Sequence, residues 1–140
     1  LFYGLASNLP EHPATRVFLE SLVAREDVAI SEFVLLELYR LLRLPALHER
    51  PLGAAQAAAV IQRYRHHPRW RIVGFPETGS PELHDELWSM ASEPDFACRR
   101  IFDARLALTL RHHQVTEFAT ANVKDFEGFG FRRVWNPLHH

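Results

Sequence analysis

Short apolar runs alternate with longer helical patterns along this chain, and that alternation limits its possible folds more than any other feature. The runs are Asp27 to Ile30, Trp70 to Phe75, Glu117 to Ala121 and Arg132 to Trp135. The helical patterns between and before them carry their own start and stop signals. Glu11 to Ala24 has Pro13 in its first turn and gathers Val17, Phe18, Ser21 and Leu22 on one side. Ser31 is a good N-cap for a helix reaching about Arg43, where Pro45 stops it. Pro51-Leu52-Gly53 opens an alanine-rich helix over Ala54 to His66, closed by Pro68. Pro81 starts a helix to about Ser92, and Arg99 to His112 is another. Strands alternating with helices predict an α/β chain built of βαβ units, with a parallel sheet covered by helices.

A chain of 140 residues is predicted to be one domain, and at 47% hydrophobic it has ample material for a core. No run approaches the roughly 18–20 apolar residues of a membrane span, and no signal-peptide pattern is visible. Cys98 is the only cysteine, so no internal disulfide can form, which fits a reducing cytosol. The net charge is −1, so bulk positive charge is not what would hold a nucleic acid. Leu1-Phe2-Tyr3 reads as the middle of an element. It predicts that residues precede it and form one more strand feeding the first helix. At the other end, His139-His140 reads either as native or as the start of a purification tag.

Two carboxylates fall where a carboxylate is expensive. From Phe33 to Tyr39 only Glu37 is not apolar, and on a helix it shares a stripe with Phe33, Val34, Leu41 and Leu44. An ionised carboxylate buried there must be paired, protonated or metal-bound. In the second helix Asp103 is followed on its own face by Leu106, Ala107 and Leu110, near a helix N-terminus that favours negative charge. Either acid alone is as readily a paired structural group. A third feature changes the weighing. The stretch "TANVKDFEGFGF", Thr120 to Phe131, places Asn122, Asp125 and Glu127 just after an apolar strand. Parallel sheets bind ligands beyond the carboxyl ends of their strands. Oxygen ligands without histidine or cysteine at metal spacing point to Mg²⁺ or Mn²⁺ rather than zinc. His66-His67 and His112-His113 are expected at helix C-termini, and Phe126, Phe129, Phe131 and Trp135 either stack bases or close the core. Gly128 and Gly130 are expected to serve backbone geometry.

Three segments together resemble the PIN-domain ribonucleases, specifically the VapC toxins of bacterial toxin–antitoxin pairs. "ISEFVLLELYRLLR" is similar to the family's second-acid helix, with Glu37 in the acid position. "IFDARLALTLRHHQV" is similar to its third-acid helix, with Asp103 matching. "TEFATANVKDFEGFGFRRVWNP" is similar to its closing strand and loop, with Asn122 and Asp125 at the polar positions. The resemblance spans essentially the whole chain. It implies a three-layer α/β/α sandwich around a parallel central sheet in a single PIN-like domain, residues 1–140, with the first strand incomplete. It also implies an endoribonuclease using Mg²⁺ or Mn²⁺ held by Glu37, Asp103 and Asp125, with Asn122 completing the catalytic set. Arg40, Arg99 and Arg100 would then hold the RNA backbone. A cytoplasmic homodimer silenced by a cognate VapB-type antitoxin is implied as well. The sequence departs from the family in two places. The family's first acid, in an Asp-x-Asn motif, would precede Leu1, and many relatives carry Asp where this chain has Asn122. The alternative is a non-catalytic PIN-like module that only binds RNA or protein.

Overall fold

The computed structural model describes residues 1–139; His140, half of the terminal histidine pair, lies outside the described residues. The chain divides into two units, residues 1–72 and residues from 73 onward. Each is built from mixed helix and strand.

The first unit opens with a 3₁₀ turn, Phe2–Gly4, followed by α1, His12–Leu22, β1, Ala29–Ser31, and α2, Glu32–Leu42. A second 3₁₀ turn, Pro45–Leu47, leads to α3, Ala54–Arg65, and then β2, Arg71–Val73, whose last residue begins the second unit. The Ser31 hydroxyl accepts a hydrogen bond from the Phe33 N–H at 3.1 Å, so the predicted cap forms. Gly53 takes the cap position of α3, and its N–H is held by the Gln56 side chain at 3.0 Å. One apolar cluster joins Leu38 and Leu42 of α2 to Ala57 and Val60 of α3. A second sets Ile30, Leu35 and Trp70 against Leu19, Leu22 and Ile72. The Trp70 indole N–H donates to the Leu22 carbonyl at 3.0 Å, which satisfies its polar edge inside that cluster. Strand β1 pairs with β2 in a two-stranded sheet.

The inward face of α1 differs from the expected one. Val17 is exposed, while Thr15 is buried and Leu19 and Leu22 reach the core. The spacing 15, 19, 22 is also a helical stripe. It wins because the Thr15 hydroxyl finds the Glu11 carbonyl at 2.9 Å and so needs no water.

The second unit contains α4, Ser80–Ala91, a 3₁₀ turn, Cys98–Arg100, α5, Ile101–His112, β3, Glu117–Ala119, α6, Val123–Phe126, and β4, Arg133–Trp135. Helix α5 is its spine, burying Ala104, Leu106, Ala107, Leu108, Thr109 and Leu110. Leu83 and Leu87 of α4 are also buried. The chain leaves α5 through Gln114, in the left-handed region at φ 63°, and the Val115 N–H returns to the Leu110 carbonyl at 3.0 Å. Strands β3 and β4 pair parallel, with Glu117 opposite Arg133, Phe118 opposite Val134 and Ala119 opposite Trp135. The strands among the described residues are each shorter than the apolar runs that predict them, because only residues with a ladder partner are held extended. Both histidine pairs fall at helix C-termini as expected. Among the described residues, no helix is long and apolar enough to cross a membrane.

Candidate active site

The end of β3 and the start of α5 bring the second unit's polar residues together. Asp103 lies in the first turn of α5, where the helix dipole favours its charge. Behind it on the same face, Leu106, Ala107 and Leu110 lead into the core, so the carboxylate stands half-buried at the end of an apolar stripe. Burial pushes the Asp103 carboxyl up from its ordinary value, and the negative charge of Asp125 pushes it further. Arg100 and Arg99 pull it back down. Asp103 and Asp125 are therefore close enough to repel, with two cations within reach.

Asp125 reaches that place through a helix that the sequence does not announce. Thr120 to Phe131 reads as a loop, yet Val123–Phe126 forms one turn of α-helix, α6. The Asp125 N–H donates to the Asn122 carbonyl at 3.1 Å, and the Glu127 N–H to the Val123 carbonyl at 3.1 Å. Asn122 is the N-cap of α6, but its side chain makes no capping bond and stands exposed. Its own N–H is held by the Thr120 hydroxyl at 3.1 Å. Glu127 points to solvent.

Aromatic rings hold this turn in place. Phe126 and Phe129 are 6% and 4% exposed, so they close the core rather than offer faces to bases. Phe118 meets Phe126 edge-on at 4.7 Å and stacks on Phe131 at 5.4 Å. Gly128 and Gly130 flank Phe129 with φ of 88° and 84°, a conformation that L side chains rarely adopt. The Arg100 guanidinium sits 5.0 Å over the Phe129 ring and donates to the Asp125 backbone carbonyl at 3.4 Å.

Glu37 corrects an expectation. It belongs to the first unit, on α2, and its side chain is 50% exposed and ion-paired with Arg40 at 3.3 Å. The stripe that α2 buries is Leu35, Leu38 and Leu42, and Glu37 lies off it. In a helix apolar nearly all round, spacing alone does not pick the inward face, and the structure picks one that leaves Glu37 solvated. Among the described residues, no group of three or more His, Cys, Asp or Glu is placed to hold a metal ion.

No family model matches the chain. Two curated relatives do. Both are Ribonuclease VapC24 of Mycobacterium tuberculosis, from strains CDC 1551 / Oshkosh and ATCC 25618 / H37Rv, and each is 48% identical over 138 residues. The match covers 99% of this chain and 92% of each relative. The chain belongs to the VapC ribonuclease family. As a VapC protein it carries Asp103 and Asp125 as neighbouring carboxylates. They are all-oxygen donors, mutually repelling and partly desolvated, which is a donor set that fits a hard divalent cation. Two carboxylates are enough for Mg²⁺ in sites where water and substrate phosphate fill the remaining positions. Of the residues singled out in this VapC sequence, the structure brings together Asp103, Asp125, Arg99 and Arg100. The sequence does not single out Phe129 as the seat of Arg100. Its signal was the Gly-Phe-Gly pattern, where two glycines free one aromatic to turn inward.

Proposed function

We propose that this VapC protein is an endoribonuclease toxin that hydrolyses RNA phosphodiester bonds with Mg²⁺ or Mn²⁺. The observation that carries the reading is the juxtaposition of Asp103 and Asp125 at the head of α5, within a chain of this family. Two carboxylates crowded at the rim of an apolar stripe repel each other, and a divalent cation relieves both the repulsion and the desolvation. Asp103 and Asp125 would hold the ion, with the Asn122 amide oxygen beside them directly or through water. A bound Mg²⁺ or Mn²⁺ would supply an activated water and neutralise charge developing on the phosphate. Asp103 is oriented by the first turn of α5, and Asp125 by the hydrogen-bonded turn of α6. Arg99 and Arg40 are proposed to meet the RNA backbone, with single-stranded segments as the target class.

The family resemblance adds the remaining parts of the proposal. They are Glu37 as a further acid, a single PIN-like domain with a three-layer sandwich around one parallel sheet, a cytoplasmic homodimer, and silencing by a VapB-type antitoxin. A second reading, a non-catalytic RNA- or protein-binding module, is favoured by the absence of a three-ligand cluster among the described residues. One assay separates the two. Single-stranded RNA is incubated with the chain and Mg²⁺ or Mn²⁺, beside Asp103→Asn, Asp125→Asn and Glu37→Gln. The enzyme reading expects each Asp variant to cut at least about a hundredfold more slowly. Glu37→Gln tests the acid carried over from the resemblance. RNA bound but uncut by every protein supports the binding module, and equal cutting by all four overturns the site.

A further inference from the structure

Arg100 is placed to act on the acids rather than on a substrate. We infer that Arg100 is a positioning residue, which fixes Asp125 against Asp103 by clamping the turn that carries it onto Phe129. The inference rests on the reading of Asp103 and Asp125 given above and takes Arg100 out of the set expected to hold RNA.

Two contacts carry it. The guanidinium donates to the Asp125 backbone carbonyl at 3.4 Å, and it lies 5.0 Å over the Phe129 ring. At 3.4 Å that single hydrogen bond is weak by itself. The cation–π contact with Phe129 holds the guanidinium from a second side and limits the freedom it has left to lose. Phe129 is in turn a fixed seat. It is 4% exposed, and the positive-φ glycines on either side let the chain turn it inward. Asp125 is thus held from two directions. Its carbonyl is tied to Arg100, and the next residue, Phe126, is buried against Phe118. An arginine that recognises phosphate works by presenting its planar fork to the ligand. Arg100 has one face over a ring and one N–H on a backbone carbonyl, at the point where α5 and the α6 turn meet.

The test compares Arg100→Gln, Arg100→Lys and Arg99→Gln, the last removing a second cation that also acts on Asp103. The Asp125 and Glu127 amides are hydrogen-bonded within the α6 turn, so their exchange with deuterium reports how firmly that turn is held. In chelator, Arg100→Gln is expected to speed both amides about tenfold, the effect of losing one interaction of ordinary strength. It should also weaken Mn²⁺ binding about tenfold and lower kcat, while KM for single-stranded RNA stays within about twofold. Arg100→Lys should recover most of the loss, and Arg99→Gln should leave the exchange at the wild-type rate. A raised KM with unchanged exchange and unchanged Mn²⁺ binding would make Arg100 an RNA contact and overturn the inference. Equal loosening by Arg99→Gln would overturn it too, by reducing the effect to charge. If Arg100→Gln does not fold, Phe129→Leu removes the ring while keeping an apolar side chain, and it should loosen the same two amides. A wild-type chain that neither binds Mn²⁺ nor cuts RNA would defeat the functional reading, while the exchange rates would still decide the role of Arg100.

Discussion

A half-buried carboxylate beside a second carboxylate works against the folded state at neutral pH. Asp103 is such a group, with its carboxyl held above the ordinary range first by burial and then by Asp125. The folded chain therefore binds that proton more tightly than the unfolded chain does. Below the ordinary carboxylate range both states are protonated, and the group contributes nothing. As pH rises from there through the raised folded value, the unfolded state gives up its proton first and stability falls. Asp103→Asn should accordingly raise Tm in chelator at pH 7, with the gain shrinking towards zero as the pH is brought below 4 or so. A thermal melt of both proteins across that range checks it, and a gain that grows on acidification would contradict it. The glycines beside Phe129 make a second residue-level case. Alanine at Gly128 meets nothing within 4 Å, so only the backbone conformation resists it. Alanine at Gly130 would also approach the Arg111 guanidinium at 3.0 Å. That group is the far end of a flexible side chain and can swing away. Both substitutions should therefore cost about 1–2 kcal/mol in urea unfolding, with Gly130→Ala only slightly the worse.

Helix α2 shows which parts of an element a sequence discloses. Its start is written in Ser31, because a cap is local chemistry between one hydroxyl and an N–H two residues on. Ser31→Ala should lower stability by about 1 kcal/mol in chemical denaturation. Its orientation is not written, because Phe33 to Leu42 is apolar almost throughout and several stripes satisfy helical spacing. The structure resolves the choice through Leu35, 1% exposed and packed with Ile30 and with Trp70, the latter too distant in sequence for any periodicity to reveal. The place of Asp103 is more legible, because Leu106, Ala107 and Leu110 follow it at helical spacing and all three are buried. The α6 turn is not legible in the sequence because Val123–Phe126 is four residues, too short to show a period. The turn is held by Phe126 packing edge-on against Phe118 of β3, a long-range contact that no local pattern shows.

At the scale of the whole molecule, the alternation of apolar runs and helical patterns was enough to predict mixed α/β structure and the parallel pairing of β3 with β4. Among the described residues β1 pairs with β2 and β3 with β4, while the single central sheet belongs to the proposal. Which strands pair depends on contacts between residues far apart in sequence, such as Glu117 with Arg133, and local patterns do not show these. The proposed metal gives the whole fold a measurable link to its site. An ion that binds the folded chain and not the unfolded one stabilises it by about 2.7 kcal/mol at a hundred times its Kd. For a chain of this size that is a rise in Tm of several degrees, saturating with concentration. Mn²⁺ should produce that rise in the wild-type protein, and Asp103→Asn should flatten it. The same substitution then acts with opposite signs. In chelator it removes a repulsive, desolvated charge and the variant melts higher; in Mn²⁺ it removes a ligand and the variant loses the ion's stabilisation. A carboxylate kept only for packing or for a local ion pair has no reason to reverse in this way. Melting curves of the two proteins, recorded at pH 7 with chelator and across a Mn²⁺ titration, therefore ask whether Asp103 is where the ion binds, without any reference to RNA. Parallel curves that never cross would show that it is not.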